Sequence, residues 1–159
     1  MKKIRALWID DGAITDLVEL TGPVYASGRY TLDIAANISE AIAEIQRREF
    51  DAVIVDIRLP PGNLPEWIEL YRRGGQSRAA AHLGLDFLDS CLRAKPAVPL
   101  NPRPAWLSPD RFAVFSVEER EVVEAQVKSL GVKVYHVKEV DPPRRTLIDL
   151  IEKVLGNGA

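Results

Sequence analysis

The sequence predicts an α/β protein built on one doubly wound parallel sheet with helices on both faces. Three observations carry this reading. Apolar runs of strand length alternate with segments of helical period along all 159 residues. Ala52-Val53-Ile54-Val55 is a continuous apolar run, as in a strand covered on both faces. Polar groups stand at the ends of successive runs: Asp10 and Asp11, then Asp56, Ser116 and Lys138. An open parallel sheet gathers its ligand-binding groups at the carboxyl ends of its strands.

The elements follow in order. Residues 4–9 form the first strand, and residues 13–20 a helix with Ile14, Leu17 and Val18 on one face, broken or bent at Gly22-Pro23. Residues 30–36 form the second strand. Ser39 is expected to cap the next helix, which carries Ile38, Ile42 and Ile45 as a buried stripe. Residues 52–55 are the third strand, and residues 84–93 a helix with Leu85, Leu88 and Leu92 on one side. Residues 112–115 are the fourth strand. Residues 118–130 are a helix buried through Val122, Val123, Val127 and Leu130, and residues 132–137 the fifth strand. Asp141 is expected to cap a last helix with Pro142 in its first turn and Leu147, Ile148 and Ile151 inward. The result is five strands and five helices in strict alternation, in a single domain spanning 1–159.

Two stretches exceed an economical loop: about 61–83 and about 94–111. In the first, residues 65–71 read as a short amphipathic helix stopped by Gly74-Gly75, and residues 77–81 extend the following helix backwards. Trp67 and Tyr71 anchor this insertion on the domain, while Arg72, Arg73 and Arg78 are solvated. The second holds Pro96, Pro99, Pro102, Pro104 and Pro109, which make it stiff and unable to join a ladder.

Composition narrows the function. An apolar fraction of 47% and a charged fraction of 28% describe a folded globular chain. A net charge of -2 offers no electrostatic footprint for nucleic acid. The single cysteine, Cys91, excludes an internal disulfide framework and reads as a small core residue on a helix. No apolar run approaches the roughly 20 residues that span a bilayer. Met1-Lys2-Lys3 precedes an apolar run too short for a signal peptide. The expectation is a cytoplasmic protein without membrane or nucleic-acid partners.

The chemistry lies in the strand-end groups. Carboxylates gathered in one place repel unless a hard cation such as Mg²⁺ sits between them. A carboxylate is a weak nucleophile, yet it accepts a phosphoryl group when charge on the transferring oxygens is neutralised. That chemistry needs a cation held by other carboxylates, a fixed ammonium and a hydroxyl. Asp10, Asp11, Asp56, Lys138 and Ser116 supply those parts. Plainer readings stand beside this one. The Asp10-Asp11 pair fits a solvated turn, Ser116 an N-cap for a helix near Glu118, Lys138 a surface lysine and Tyr135 a plain aromatic. His82 and His136 have no acid at metal-ligand spacing and read as structural.

Taken together, these residues resemble the receiver domain of two-component response regulators. The run Asp56-Ile57-Arg58-Leu59-Pro60 carries the acceptor and the proline four residues on, and the acidic pair stands at the family's spacing from it. Outside the two long stretches the resemblance covers the chain. It implies a flavodoxin-like five-stranded sheet of order 2-1-3-4-5, with Asp56 as phosphoacceptor, Ser116 and Lys138 as its catalytic partners, and Tyr135 as a switch aromatic. It further implies Mg²⁺ bridging Asp11, Asp56 and the backbone carbonyl of Arg58, with Asp10 acting mainly through water. The implied role is a stand-alone signalling domain rather than an enzyme, phosphorylated by a histidine kinase or phosphotransfer protein and acting through a downstream protein partner.

Three residues depart from the family pattern. Glu139 replaces the usual proline after the lysine, Val117 replaces a small residue and is expected to narrow the site, and Arg58 offers a second cation near the phosphoryl group. Glu139, Val117 and the two long stretches motivate an alternative, an adaptor that keeps the fold and works without phosphorylation. A third reading comes from Asp11-Gly12-Ala13-Ile14-Thr15-Asp16, which faintly resembles the haloacid-dehalogenase phosphatase motif. Ile9 stands where that motif has its nucleophilic aspartate.

Overall fold

The computed structural model describes residues 3–73 and 82–157, apart from the side chains of Arg120, Val122 and Asn157. It contains a five-stranded parallel sheet of order β2-β1-β3-β4-β5. The strands are β1 (Ile4–Ile9), β2 (Tyr30–Ala35), β3 (Ala52–Val55), β4 (Phe112–Ser116) and β5 (Val134–Val137). The helices are α1 (Thr21–Ala26), α2 (Ile38–Arg47), α3 (Pro65–Arg73), α4 (Leu83–Leu92), α5 (Arg120–Ser129) and α6 (Thr146–Asn157). This is the predicted flavodoxin-like α/β architecture. α3 lies inside the first long stretch, as an addition to the alternating pattern.

Alternation along the strands builds two cores. Leu7 and Ile9 of β1, Val53 and Val55 of β3 and Val114 of β4 face one side, where Ile38, Ile42 and Ile45 of α2 meet Phe87 and Leu88 of α4. Ala6, Trp8, Ala52, Ile54, Ala113 and Phe115 face the other side, under Val24 of α1 and Leu147, Ile148 and Ile151 of α6. All four residues of β3 are fully buried because helices cover both faces of this central strand.

Several boundaries differ from the sequence reading, each for a local reason. Residues 11–17 are turns rather than helix. The Asp10 carboxylate captures the Gly12 N–H at 2.9 Å, and the Thr15 N–H turns back to the Gly12 carbonyl at 3.2 Å. These local bonds compete with a helical ladder. A 3-10 turn spans Val18–Leu20 and α-helix begins at Thr21, so Gly22-Pro23 opens α1 instead of breaking a helix. Proline in a first turn sacrifices no ladder bond.

The cap of α2 is Asn37, whose Oδ1 accepts from the Glu40 N–H at 2.9 Å while Glu40 accepts from the Ala36 N–H. Ser39 has another task. Its hydroxyl donates to the Pro61 carbonyl and accepts from the Asn63 and Leu64 N–H groups, strapping the first insertion to α2. α5 starts two residues later than expected, with Glu119 as its cap. α6 starts at Thr146, well beyond Asp141. Both Asp141 and Pro142 precede a proline, which disfavours helical backbone at each.

The anchoring role of Trp67 is present: its side chain is buried, and Leu70 and Tyr71 pack beside it. Gly74-Gly75, residues 77–81 and Arg78 lie outside the described residues. Residues 94–111 contain no strand and no α-helix, only a 3-10 turn at Pro109–Arg111. Leu100, Val98, Trp106 and Leu107 fasten this segment to the core, with Trp106 edge-on to Phe50 at 6.1 Å. Cys91 is buried, as expected. Among the described residues no helix is long and apolar enough to cross a membrane.

Candidate metal centre at the carboxyl edge of the sheet

The predicted groups stand at or just beyond strand ends, and neighbouring strands pin the backbones of Asp10, Asp56 and Lys138. The Asp10 N–H donates to the Ala35 carbonyl at 2.9 Å, and the Asp56 N–H to the Ile9 carbonyl at 3.0 Å. The Lys138 N–H donates to the Ser116 carbonyl at 2.7 Å. The ladders therefore run one rung past β1, β3 and β5, and the acids and the lysine inherit the rigidity of the sheet.

The carboxylates converge. One oxygen from each of Asp10, Asp11 and Asp56 lies within 4.8 Å of the others, with Asp10 and Asp56 buried and Asp11 exposed. A divalent cation with ligands at roughly 2.0–2.6 Å spans such a set with sub-ångström adjustment. Lys138 completes the group: its Nζ is 2.6 Å from Asp10 Oδ2 and 2.9 Å from Asp56 Oδ2. One ammonium thus bridges the two buried carboxylates. Three converging carboxylates, two of them buried, make an all-oxygen donor set that fits a hard cation such as Mg²⁺.

The electrostatics follow from this crowding. Burial, then repulsion from Asp56, pushes the Asp10 carboxyl up to about 6 against the pull of Lys138. Burial works against the charged Lys138, yet Asp56 and Asp10 together override it and hold the ammonium above its ordinary pKa. The Phe115 ring lies 5.4 Å below Nζ and adds a cation–π contact.

Ser116 is fully buried at the end of β4. Its hydroxyl receives the Glu118 N–H at 3.4 Å, a turn contact rather than an N-cap, since α5 begins at Arg120. Arg58 departs from expectation. Its backbone N–H is 3.4 Å from Asp56 Oδ1, but its guanidinium is ion-paired with Glu118. Glu118 is buried and also meets His82 Nε2 at 3.2 Å. Burial opposes its charge, but Arg58 and His82 hold the carboxyl below its usual range. His82 thus has an acidic partner that spacing along the chain conceals. The Tyr135 hydroxyl donates to the Glu118 carbonyl at 2.8 Å, which ties the predicted switch aromatic to the loop after Ser116. Val117 is half exposed and so is not packed into the pocket. Glu139 faces His136 at 3.6 Å. Sequence reasoning missed Glu118 and Gly84; both meet the site through contacts dozens of residues apart, for which no local signal exists.

Comparison with solved structures gives the class: this is the fold of response regulator receiver domains. A CheY-like receiver domain protein from Methanospirillum hungatei JF-1 superposes with a TM-score of 0.63 at 19% identity, covering 99% of this chain and 98% of that one. The chemotaxis response regulator CheY4 of Vibrio cholerae matches with a TM-score of 0.62 at 17% identity, over 97% of this chain and 100% of its own. A response regulator from Burkholderia pseudomallei, solved with a phosphorylated aspartic acid, a calcium ion and citrate, matches with a TM-score of 0.60 at 17% identity. That match covers 98% of this chain and 71% of the other. At such identities the likeness is one of fold. No family model matches the sequence, and no curated protein matches it.

Proposed function

We propose that this domain accepts a phosphoryl group on Asp56 in a Mg²⁺-dependent reaction and signals through protein contacts. The observation that carries this reading is the meeting of three carboxylates and one ammonium at the mouth of a receiver fold. Bound between Asp10, Asp11, Asp56 and the Arg58 carbonyl, Mg²⁺ would neutralise charge on the transferring oxygens. An Asp56 carboxylate oxygen attacks phosphorus, the bond from phosphorus to the donor breaks, and the donor leaves with that electron pair. Lys138 pairs with a phosphoryl oxygen, and the Ser116 hydroxyl donates to another. The acyl phosphate carries about -1.5 to -2 where the carboxylate carried a single charge, and its outer oxygens draw Ser116 and Lys138 inward. Tyr135, bonded to the same loop, passes that movement to the surface of β4 and β5. A cytoplasmic histidine kinase or phosphotransfer protein is the donor, and the output is a contact with another protein.

The test uses a small phosphodonor with Mg²⁺ and intact-mass detection. The full chain should gain one phosphoryl group, and Asp56→Asn or added EDTA should abolish the gain. A phosphoryl group that persists in Asp56→Asn overturns the assignment.

One observation favours a second reading, a phosphorylation-independent adaptor. Lys138 already contacts both buried carboxylates, so the acidic pocket is partly neutralised without a cation. Retention of partner binding in Asp56→Ala would select that alternative. The phosphatase reading finds no support in the site, because Ile9 at the nucleophile position is a fully buried core residue.

A further inference from the structure

A buried charged cluster stands beside the acidic pocket, and the phosphotransfer step makes no use of it. Glu118, in the turn after β4, is buried and receives two partners on one carboxylate oxygen. Arg58 Nε, from the loop after β3, donates to Glu118 Oε1. His82 Nε2, at the N-cap of α4, lies 3.2 Å from the same atom. All three residues belong to segments that surround Asp56. The Arg58 N–H is 3.4 Å from Asp56 Oδ1, and the Glu118 N–H is 3.4 Å from Ser116 Oγ. The Gly84 N–H, two residues after His82, donates to the Ile57 carbonyl at 2.8 Å.

The partners differ in freedom. The Arg58 side chain is 48% exposed and that of Glu118 only 8%. Arg58 is therefore the member able to move, while Glu118 is held inside. A buried carboxylate stripped of every partner is costly, and that cost alone would fix Arg58 in place. His82 removes the obstacle, because its Nε2–H form still donates to Oε1 after Arg58 leaves. A phosphoryl group on Asp56 offers the guanidinium paired oxygens and about -1.5 to -2 of charge, against a single charge on Glu118.

We propose that Arg58 exchanges Glu118 for the phosphoryl group when Asp56 is phosphorylated, and that His82 is the positioning residue that keeps Glu118 paired afterwards. This inference rests on the phosphoacceptor reading of Asp56. Before phosphorylation, Glu118 withholds Arg58 from the incoming donor. Afterwards the loop after β3 is tied to the phosphoryl group, and the turn after β4 is tied to the head of α4.

The experiment measures phosphorylation of the full chain by acetyl phosphate with Mg²⁺, read by intact mass. Glu118→Gln should lower the KM for the donor about tenfold, the worth of one charge-assisted bond. Arg58→Gln should cancel that gain, so that the double variant matches Arg58→Gln alone. His82→Ala should raise KM, and the rise should vanish in the Glu118→Gln background. A cluster with a merely structural role would impair every variant without such cancellation. Should Glu118→Gln fail to fold, ¹H–¹⁵N NMR of the unsubstituted chain carries the test. Beryllofluoride, a phosphoryl mimic, should then shift the Arg58 Nε–H resonance when added with Mg²⁺. Equal KM in Glu118→Gln, or an Arg58 resonance unmoved in a chain that binds beryllofluoride, overturns the exchange alone. A chain that neither gains a phosphoryl group nor binds beryllofluoride overturns the phosphoacceptor reading and the exchange with it.

Discussion

Gly84, in the first turn of α4, lies against the main-chain carbonyl of Asp56. A Cβ placed on Gly84 would stand 2.0 Å from that oxygen and 2.6 Å from the Ile57 Cα. The Gly84 N–H also donates to the Ile57 carbonyl at 2.8 Å. A helix start thus braces the backbone that presents the candidate phosphoacceptor, and only a residue without a side chain permits the approach.

Gly84→Ala should therefore be strongly destabilising. The clash is with backbone on both sides, so no rotamer change relieves it. A loss of about 2–4 kcal/mol is expected, the range of overpacking combined with a lost backbone bond. Urea unfolding measures it, and a loss under 1 kcal/mol on the same scale would show that α4 shifts freely away from Asp56.

Lys138→Met should destabilise the protein in a pH-dependent way. Without the ammonium, two buried carboxylates face each other uncompensated, a cost of about 2–4 kcal/mol at pH 8. The Asp10 carboxyl already titrates at about 6, so protonation near pH 5 removes most of the repulsion. The variant's deficit should be largest at pH 8 and shrink on acidification. Denaturant midpoints at both pH values give the comparison, and a deficit independent of pH contradicts the charge-based account.

Ser39→Ala should loosen the first insertion while leaving α2 intact. The hydroxyl satisfies two N–H groups and one carbonyl around Pro61 to Leu64, whereas Asn37 supplies the cap. Leaving those groups unpaired costs about 1–3 kcal/mol. Limited proteolysis should show faster cleavage near residues 61–64 without a matching loss of helical circular dichroism. Unchanged cleavage would mean that Trp67 alone secures the segment.

Asp86→Asn should stabilise the protein above pH 6. Burial, then repulsion from Asp89, raises the Asp86 carboxyl to about 6, offset by His82. A carboxyl raised above its unfolded value of 3.8 contributes most stability when protonated. That contribution is full below about pH 4 and is lost as pH rises through about 6. The neutral amide should gain about 1–2 kcal/mol at pH 7.5 and nothing at pH 4, after allowance for partial exposure. Thermal unfolding across that window decides it, and a gain of equal size at pH 4 would point away from titration.

Much of the architecture is legible along the chain because it depends on near neighbours. Alternation in Ile4–Ile9 and the continuous apolar run of β3 define strands whose faces are settled locally. Asp10, Asp56 and Lys138 follow those strands directly, so finding the strand ends also finds the acids and the lysine. Errors arose where side chains intervene in short-range backbone bonding. Asp10 holds the Gly12 N–H and keeps residues 11–17 out of helix, and Pro142-Pro143 delays α6 until Thr146.

The amino-acid order alone thus specifies which groups reach one edge of a parallel sheet. Only the folded packing decides how they pair: Lys138 with Asp56 across 82 residues, Arg58 with Glu118 across 60, and His82 with Glu118 across 36. The reason is physical. Strand character and strand ends come from the alternation and shape of adjacent side chains, whereas contacts between distant side chains depend on sheet register and on how closely α4 and the loop after β4 approach Asp56.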